Sequence, residues 1–111
     1  MNESEFGALS EAVLDAIERA LERAVDAGRL DIDFERKDGG VLELEFTGGS
    51  RMVINRHGAA REIWVAAKSG GFHFHHDAGR WLDTRAGDEL FAALSRLVSA
   101  QSGSAVILSQ L

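Results

Sequence analysis

The 111-residue chain contains no cysteine and no proline. Without cysteine there is no disulfide, no thiolate zinc site, no cysteine-ligated iron–sulfur cluster and no cysteine nucleophile. That absence fits a reducing compartment. Without proline the turns must rest on glycine, of which there are 12. No apolar run approaches the length that spans a bilayer. The N-terminal Met1-Asn2-Glu3-Ser4-Glu5 is acidic and polar, with neither the basic nor the apolar stretch of a signal peptide. A Gly-rich phosphate loop, a nucleophile elbow, a His-Glu-x-x-His pair and a calcium-loop pattern are also missing. These gaps argue against a conventional enzyme and leave no residue with a catalytic assignment. The expectation is a single soluble domain over residues 1–111, located in the cytoplasm.

The charge that is present is unevenly placed. Residues 1–35 hold ten acids against three arginines, a balance of −7, whereas residues 36–111 hold eight acids and nine bases. The formal −6 is therefore one acidic patch. Such a patch attracts metal cations or a basic protein surface and repels nucleic acid and anionic membrane.

Residues 4–26 have the period of one long amphipathic helix, with Phe6, Leu9, Val13, Ile17, Leu21 and Ala24 on one face. Asn2 or Ser4 can cap its start and Gly28 can stop it. From residue 31 the period changes to two. Strands are expected at 31–35, 41–46, 51–56, 62–66, 72–75 and around Trp81-Leu82, with turns at Asp38-Gly39-Gly40, Gly48-Gly49 and Asp77-Ala78-Gly79. Residues 87–101 return to the helical period. Strict alternation means one buried and one wet sheet face. The fold class is α+β: a two-layer α-β sandwich in which an antiparallel sheet of five to six strands is flanked on one face by N- and C-terminal helices. The tail after Gly103 carries Val106, Ile107, Leu108 and Leu111, and is expected to pack in the groove between the two helices.

Three groups of side chains could carry function. Glu11, Asp15, Glu18, Glu22 and Asp26 recur at helical spacing, and Asp31, Asp33 and Glu35 share the solvent side of the next strand. Hard cations and iron favour such oxygen donors, held weakly because nothing in the pattern resembles a closed cage. The plainer reading is a solvated helix face whose charge is offset by Arg19 and Arg23 within i,i+4 reach of acids. His73 and His75 share a strand face and could chelate a transition metal, or could be wet histidines at a strand end. Trp64 turns outward if Ile63 and Val65 face the core. It would then stand with Asn55 and His73 as a hot spot for a protein partner, or merely pack on its sheet neighbours.

The ordered set of these segments resembles the frataxin family, specifically its bacterial members, over essentially the whole chain. The segments are Ser4-Glu5-Phe6, Gly39-Gly40-Val41-Leu42, Val53-Ile54-Asn55-Arg56, the stretch from Ile63-Trp64-Val65 through Gly70-Gly71-Phe72-His73-Phe74, and Trp81-Leu82-Asp83. The resemblance implies an α-β-α sandwich that binds iron (Fe²⁺/Fe³⁺) weakly through acids of the first helix and strand edge. The matching positions are Glu18, Glu22, Asp26, Asp31 and Asp33. It also implies docking on the cysteine desulfurase and the scaffold protein of iron–sulfur cluster assembly, through the acidic ridge and a sheet face that includes Asn55, Arg56, Trp64 and His73. Arg19 and Arg23 stand where close bacterial relatives tend to be acidic, His57 where glutamine is frequent, and the Gly58-Ala59-Ala60 loop lacks the family's common proline.

Two functions of different class follow: a monomeric iron-binding regulator of cluster assembly, with no nucleic-acid or membrane partner, and a pure protein-interaction module with incidental metal binding. A third, an iron-oxidising enzyme, is the weakest because no closed redox site is visible.

Overall fold

The computed structural model describes residues 1–110. The element order is α1 (Glu3–Asp26), β1 (Ile32–Lys37), β2 (Val41–Phe46), β3 (Arg51–His57), β4 (Glu62–Ala67), β5 (Gly70–Asp77), β6 (Arg80–Asp83) and α2 (Leu90–Ser102). The six strands pair in sequence order as an antiparallel meander. Each connection is a tight turn, which is what short alternating runs separated by glycines dictate. Strand alternation places Leu42, Leu44, Met52, Ile54, Ile63, Val65 and Phe74 on one face. That face is buried under Leu14, Ile17 and Leu21 of α1 and Leu90, Leu94 and Val98 of α2. Both helices cover the same side, so the expected α+β two-layer sandwich is the fold.

The ends of α1 follow their local chemistry. Asn2 caps the helix through a reciprocal box: its Oδ1 accepts the Glu5 N–H at 2.8 Å, and Glu5 Oε1 accepts the Asn2 N–H at 3.1 Å. At the other end Gly28 adopts φ +73, the Gly28 N–H donates to Val25 O, and the Arg29 N–H donates to Ala24 O. This pair of bonds closes a Schellman stop, which a residue with a β-carbon would strain.

The second helix starts three residues later than the period suggests. Glu89 folds back to accept the Phe91 and Ala92 N–H groups. Asp83 meanwhile organises residues 84–88 as a loop, accepting the Arg85 N–H at 2.7 Å and the Ala86 N–H at 3.1 Å. Two N–H bonds to the charged form outweigh the opposing effect of burial and hold the Asp83 carboxyl below its usual pKa. Helix periodicity reads apolar spacing and does not see a side chain competing for the backbone.

The tail lies along α2 in extended form. Ser99 Oγ accepts the Val106 N–H at 2.9 Å and donates to Val106 O at 3.0 Å. One turn earlier Ser95 Oγ accepts the Leu108 N–H at 2.8 Å and lies 3.2 Å from Leu108 O. Arg23 of α1 donates to Ser109 O at 2.9 Å, so both helices hold the segment. Val106 and Leu108 are each 4% exposed but Ile107 is 87% exposed. An extended segment buries alternate side chains, so two apolar residues of the 106–108 run are buried rather than all three. Leu111 lies outside the described residues.

Candidate functional site

Two surfaces bring chemistry-bearing side chains together. The first runs along the α1–β1 edge. On β1 the inward positions are Ile32, Phe34 and Arg36. Ile32 and Phe34 meet the core, but Arg36 reaches past it to α1. Its Nη2 lies 2.7 Å from Glu11 Oε2, and its Nη1 lies 2.9 Å from Asp15 Oδ1 and 3.2 Å from Glu18 Oε1. Burial works against the guanidinium charge, but the Asp15 hydrogen bond, the charges of Glu11 and Asp15 and the Glu18 bond together hold its pKa above the ordinary value.

Arg36 therefore neutralises the upper ridge, where the sequence suggested Arg19 and Arg23. Among the described residues neither of those two forms an ion pair with an acid. Arg23 instead holds the tail. The available signal was a base at an inward position of β1, beside a helix whose acids recur every turn.

Of the five acids matched to iron binding, Glu18 is engaged by Arg36 and half-buried. Glu22, Asp26, Asp31 and Asp33 are exposed and, among the described residues, in no ion pair. They are spread over the end of α1 and the start of β1. Among the described residues no group of three or more His, Asp or Glu side chains is placed to hold a metal ion. The donor chemistry suits a hard cation, but the geometry is an open electrostatic edge and not a cage.

The wet face of β1 and β2 extends this charge. Asp33 stands directly opposite Glu45, and Glu35 directly opposite Glu43. Like charges in directly opposed positions oppose sheet formation. Lys37 relieves one of them, with Nζ 3.0 Å from Glu43 Oε1. Glu43 and Glu45 were visible in the alternation of β2 but were not assigned to the acidic surface.

The second surface is the wet face of β3 to β5. Register places Asn55, Trp64 and His73 in one row across three strands. The Trp64 indole is sandwiched between two imidazoles. The His57 ring centroid is 3.7 Å away with planes 10° apart, and His73 is at 4.2 Å and 8°. Trp64 Nε1–H donates to Glu62 Oε1 at 2.8 Å, which fixes the indole in its plane. Three of the four sheet residues inferred to bind a partner are thus together. The fourth, Arg56, is not with them. It has the parity of Met52 and Ile54, pairs with buried Ile63, and lies on the helix side against Gly40, with Nε 3.5 Å from Gly39 O. His57 and Glu62 stand opposite each other in the neighbouring row and reach the indole diagonally, one by stacking and the other by its hydrogen bond. His75 shares this face, opposite Glu62, while His76 takes the other and meets Trp81 edge-on at 5.0 Å.

The frataxin-like domain model matches residues 1–104. The chain belongs to the frataxin-like family. It is 54% identical over 108 residues to the iron-sulfur cluster assembly protein CyaY of Cupriavidus pinatubonensis, covering 97% of this chain and 96% of that one. It is 53% identical over 108 residues to the protein of the same name from Dechloromonas aromatica, covering 97% and 99%. Among solved structures it is similar to the frataxin of Psychromonas ingrahamii, with a TM-score of 0.86 and 31% identity over 98% of this chain and 99% of that one. Trimeric frataxin from Saccharomyces cerevisiae, complexed with ferrous iron, superposes with a TM-score of 0.74 at 28% identity over 86% and 87%. Frataxin-like proteins are not enzymes, and the family's role lies in iron–sulfur cluster assembly and iron binding.

Proposed function

We propose that this frataxin-like protein is a cytoplasmic, monomeric regulator of iron–sulfur cluster assembly that docks on a cysteine desulfurase and its scaffold protein and carries iron weakly as cargo. The observation that carries the proposal is the division of the acidic ridge. Arg36 satisfies Glu11, Asp15 and Glu18 internally, whereas Glu22, Asp26, Asp31 and Asp33 remain exposed. A basic surface on the desulfurase meets those four acids by charge, and Fe²⁺ occupies part of the same edge. Iron and partner then influence each other through shared charge. Asn55, Trp64 and His73 supply the contact with the scaffold: a rigid aromatic row is the kind of surface on which binding energy concentrates. The relatives named as iron–sulfur cluster assembly proteins and the yeast frataxin complexed with ferrous iron support this reading.

The second reading is an interaction module whose iron binding is incidental. It is favoured by the absence, among the described residues, of any group of three donors placed for a metal. Desulfurase kinetics against added protein, at several Fe²⁺ concentrations, separates the two. A regulator that carries iron gives an iron-dependent change in rate; a pure module gives the same change with or without iron.

A further inference from the structure

His57, at the wet end of β3, is seated by two contacts. Its ring stacks on Trp64, and its Nδ1 accepts the Ala60 N–H at 3.2 Å. Only an unprotonated nitrogen receives an amide donor, so the seated ring is the neutral tautomer with its proton on Nε2. Protonation adds an N–H at Nδ1 facing the Ala60 N–H, and two donors cannot form that bond.

The charged surroundings of His57 come from every neighbouring element. Glu62 of β4 stands opposite it, already holding the Trp64 Nε1–H. From β5, His73 lies beyond the indole and His75 opposite Glu62. Arg61 follows Ala60 in the turn. On the other side β2 pairing ends at Val41 opposite Asn55, and the 38–40 turn beyond it carries Asp38. Arg56 points to the opposite sheet face. The two imidazoles therefore respond differently to a proton. His73 Nδ1 is 3.9 Å from Glu62 Oε1, so its charged form gains both the carboxylate and the indole face and stays in place. The charged form of His57 also gains the indole face, but loses its anchor on the turn. That turn keeps its own backbone bond, the Arg61 N–H donating to Gly58 O at 3.3 Å with Arg61 at φ +53, so what protonation frees is the Ala60 N–H.

We propose that His57 is a proton-operated clasp on the sheet face. Neutral, it ties the 58–61 turn to the Trp64 stack; protonated, it lets go of the Ala60 N–H while its ring stays on the indole. Histidine is the side chain that changes charge nearest neutral pH, so the tie between the turn and the stack is proton-sensitive. That this makes partner docking proton-linked rests on the proposed function above; the clasp itself does not.

The test is NMR of the ¹⁵N-labelled full chain between pH 8 and pH 5. At pH 8 we expect His57 as the Nε2–H tautomer. As its ring signals titrate, Ala60 amide exchange, corrected for its intrinsic pH dependence, accelerates about fivefold, the worth of one neutral hydrogen bond. The Trp64 indole N–H signal moves along the same curve. In His57→Gln, whose amide oxygen accepts without titrating, the Ala60 response disappears; in His73→Gln it persists. An Nδ1–H tautomer at pH 8, or an Ala60 amide unmoved while His57 titrates, overturns the clasp. A working clasp combined with equal affinity for the scaffold protein at pH 8 and pH 6 overturns instead the proton linkage of docking.

Discussion

Arg36 Nη1 donates to Asp15 Oδ1 at 2.9 Å, joining β1 to α1 across 21 residues of sequence. Glu11 and Glu18 share the same guanidinium. One cation thus decides which part of an eight-acid surface is open to an outside charge.

Arg36→Ala should open the upper ridge. Three carboxylates then repel one another across adjacent helical turns, and stability should fall by about 1 kcal/mol, because the acids are largely solvated. Mn²⁺ line broadening, centred in the parent protein on Glu22, Asp26, Asp31 and Asp33, should spread to Glu11, Asp15 and Glu18. Broadening that stays where it was, or that centres on His73, His75 and His76, contradicts the ridge assignment.

Trp64→Ala should weaken partner binding tenfold or more, while chemical denaturation shows a loss of roughly 1–2 kcal/mol, more than for a free surface ring because two stacked imidazoles lose their partner. Asn55→Ala should weaken binding with a smaller stability cost. Arg56→Ala should leave binding nearly unchanged, since its side chain is on the helix side of the sheet.

Asp83 links stability to acid. Its folded pKa lies below the unfolded value, so its contribution is fully present above the unfolded pKa of about 3.9 and is lost as pH falls through the folded one. In Asp83→Ala the Arg85 and Ala86 N–H groups lose their acceptor, at a cost of roughly 1–3 kcal/mol. Thermal melts at pH 7 and pH 3 should show a gap between variant and parent that narrows at pH 3. A gap of constant size would mean that the carboxylate charge is not what holds the loop.

Deleting the tail after Gly103 should lower the melting temperature by several degrees, because Val106 and Leu108 leave the core and Ser95 and Ser99 lose their backbone partners. Metal-induced shifts on α1 and β1 should be unchanged. Ser99→Ala alone should cost about 1 kcal/mol or slightly more, since it leaves the half-buried Val106 N–H without its acceptor. An unchanged melting temperature after deletion would show that the tail contributes nothing.

The sheet and both helices were legible because their residues repeat with the period of the element. Ile32, Leu42, Met52 and Ile63 announce the buried face by alternation alone. Trp64, Asn55 and His73 followed from the same alternation. What the period could not carry was contact between distant elements. Arg36 looked like one more base, and its bond to Asp15 depends on how α1 lies across β1. Arg56 came with Asn55 through the family resemblance, though neighbours along a strand face opposite ways. His57 reaches Trp64 from the neighbouring row, opposite Glu62, by a diagonal stack that alternation does not specify. Ile107 was counted with Val106 and Leu108, although an extended tail turns every second side chain to water.

The docking surface is tested most directly by titrating the unlabelled cysteine desulfurase–scaffold complex into the ¹⁵N-labelled protein at physiological salt. We expect signal loss first at Glu22, Asp26, Asp31 and Asp33 and on the Asn55–Trp64–His73 row, weakened by added salt because exposed charges are screened over about 8 Å. Signal loss confined to α2 and the tail, or binding indifferent to salt, would contradict it.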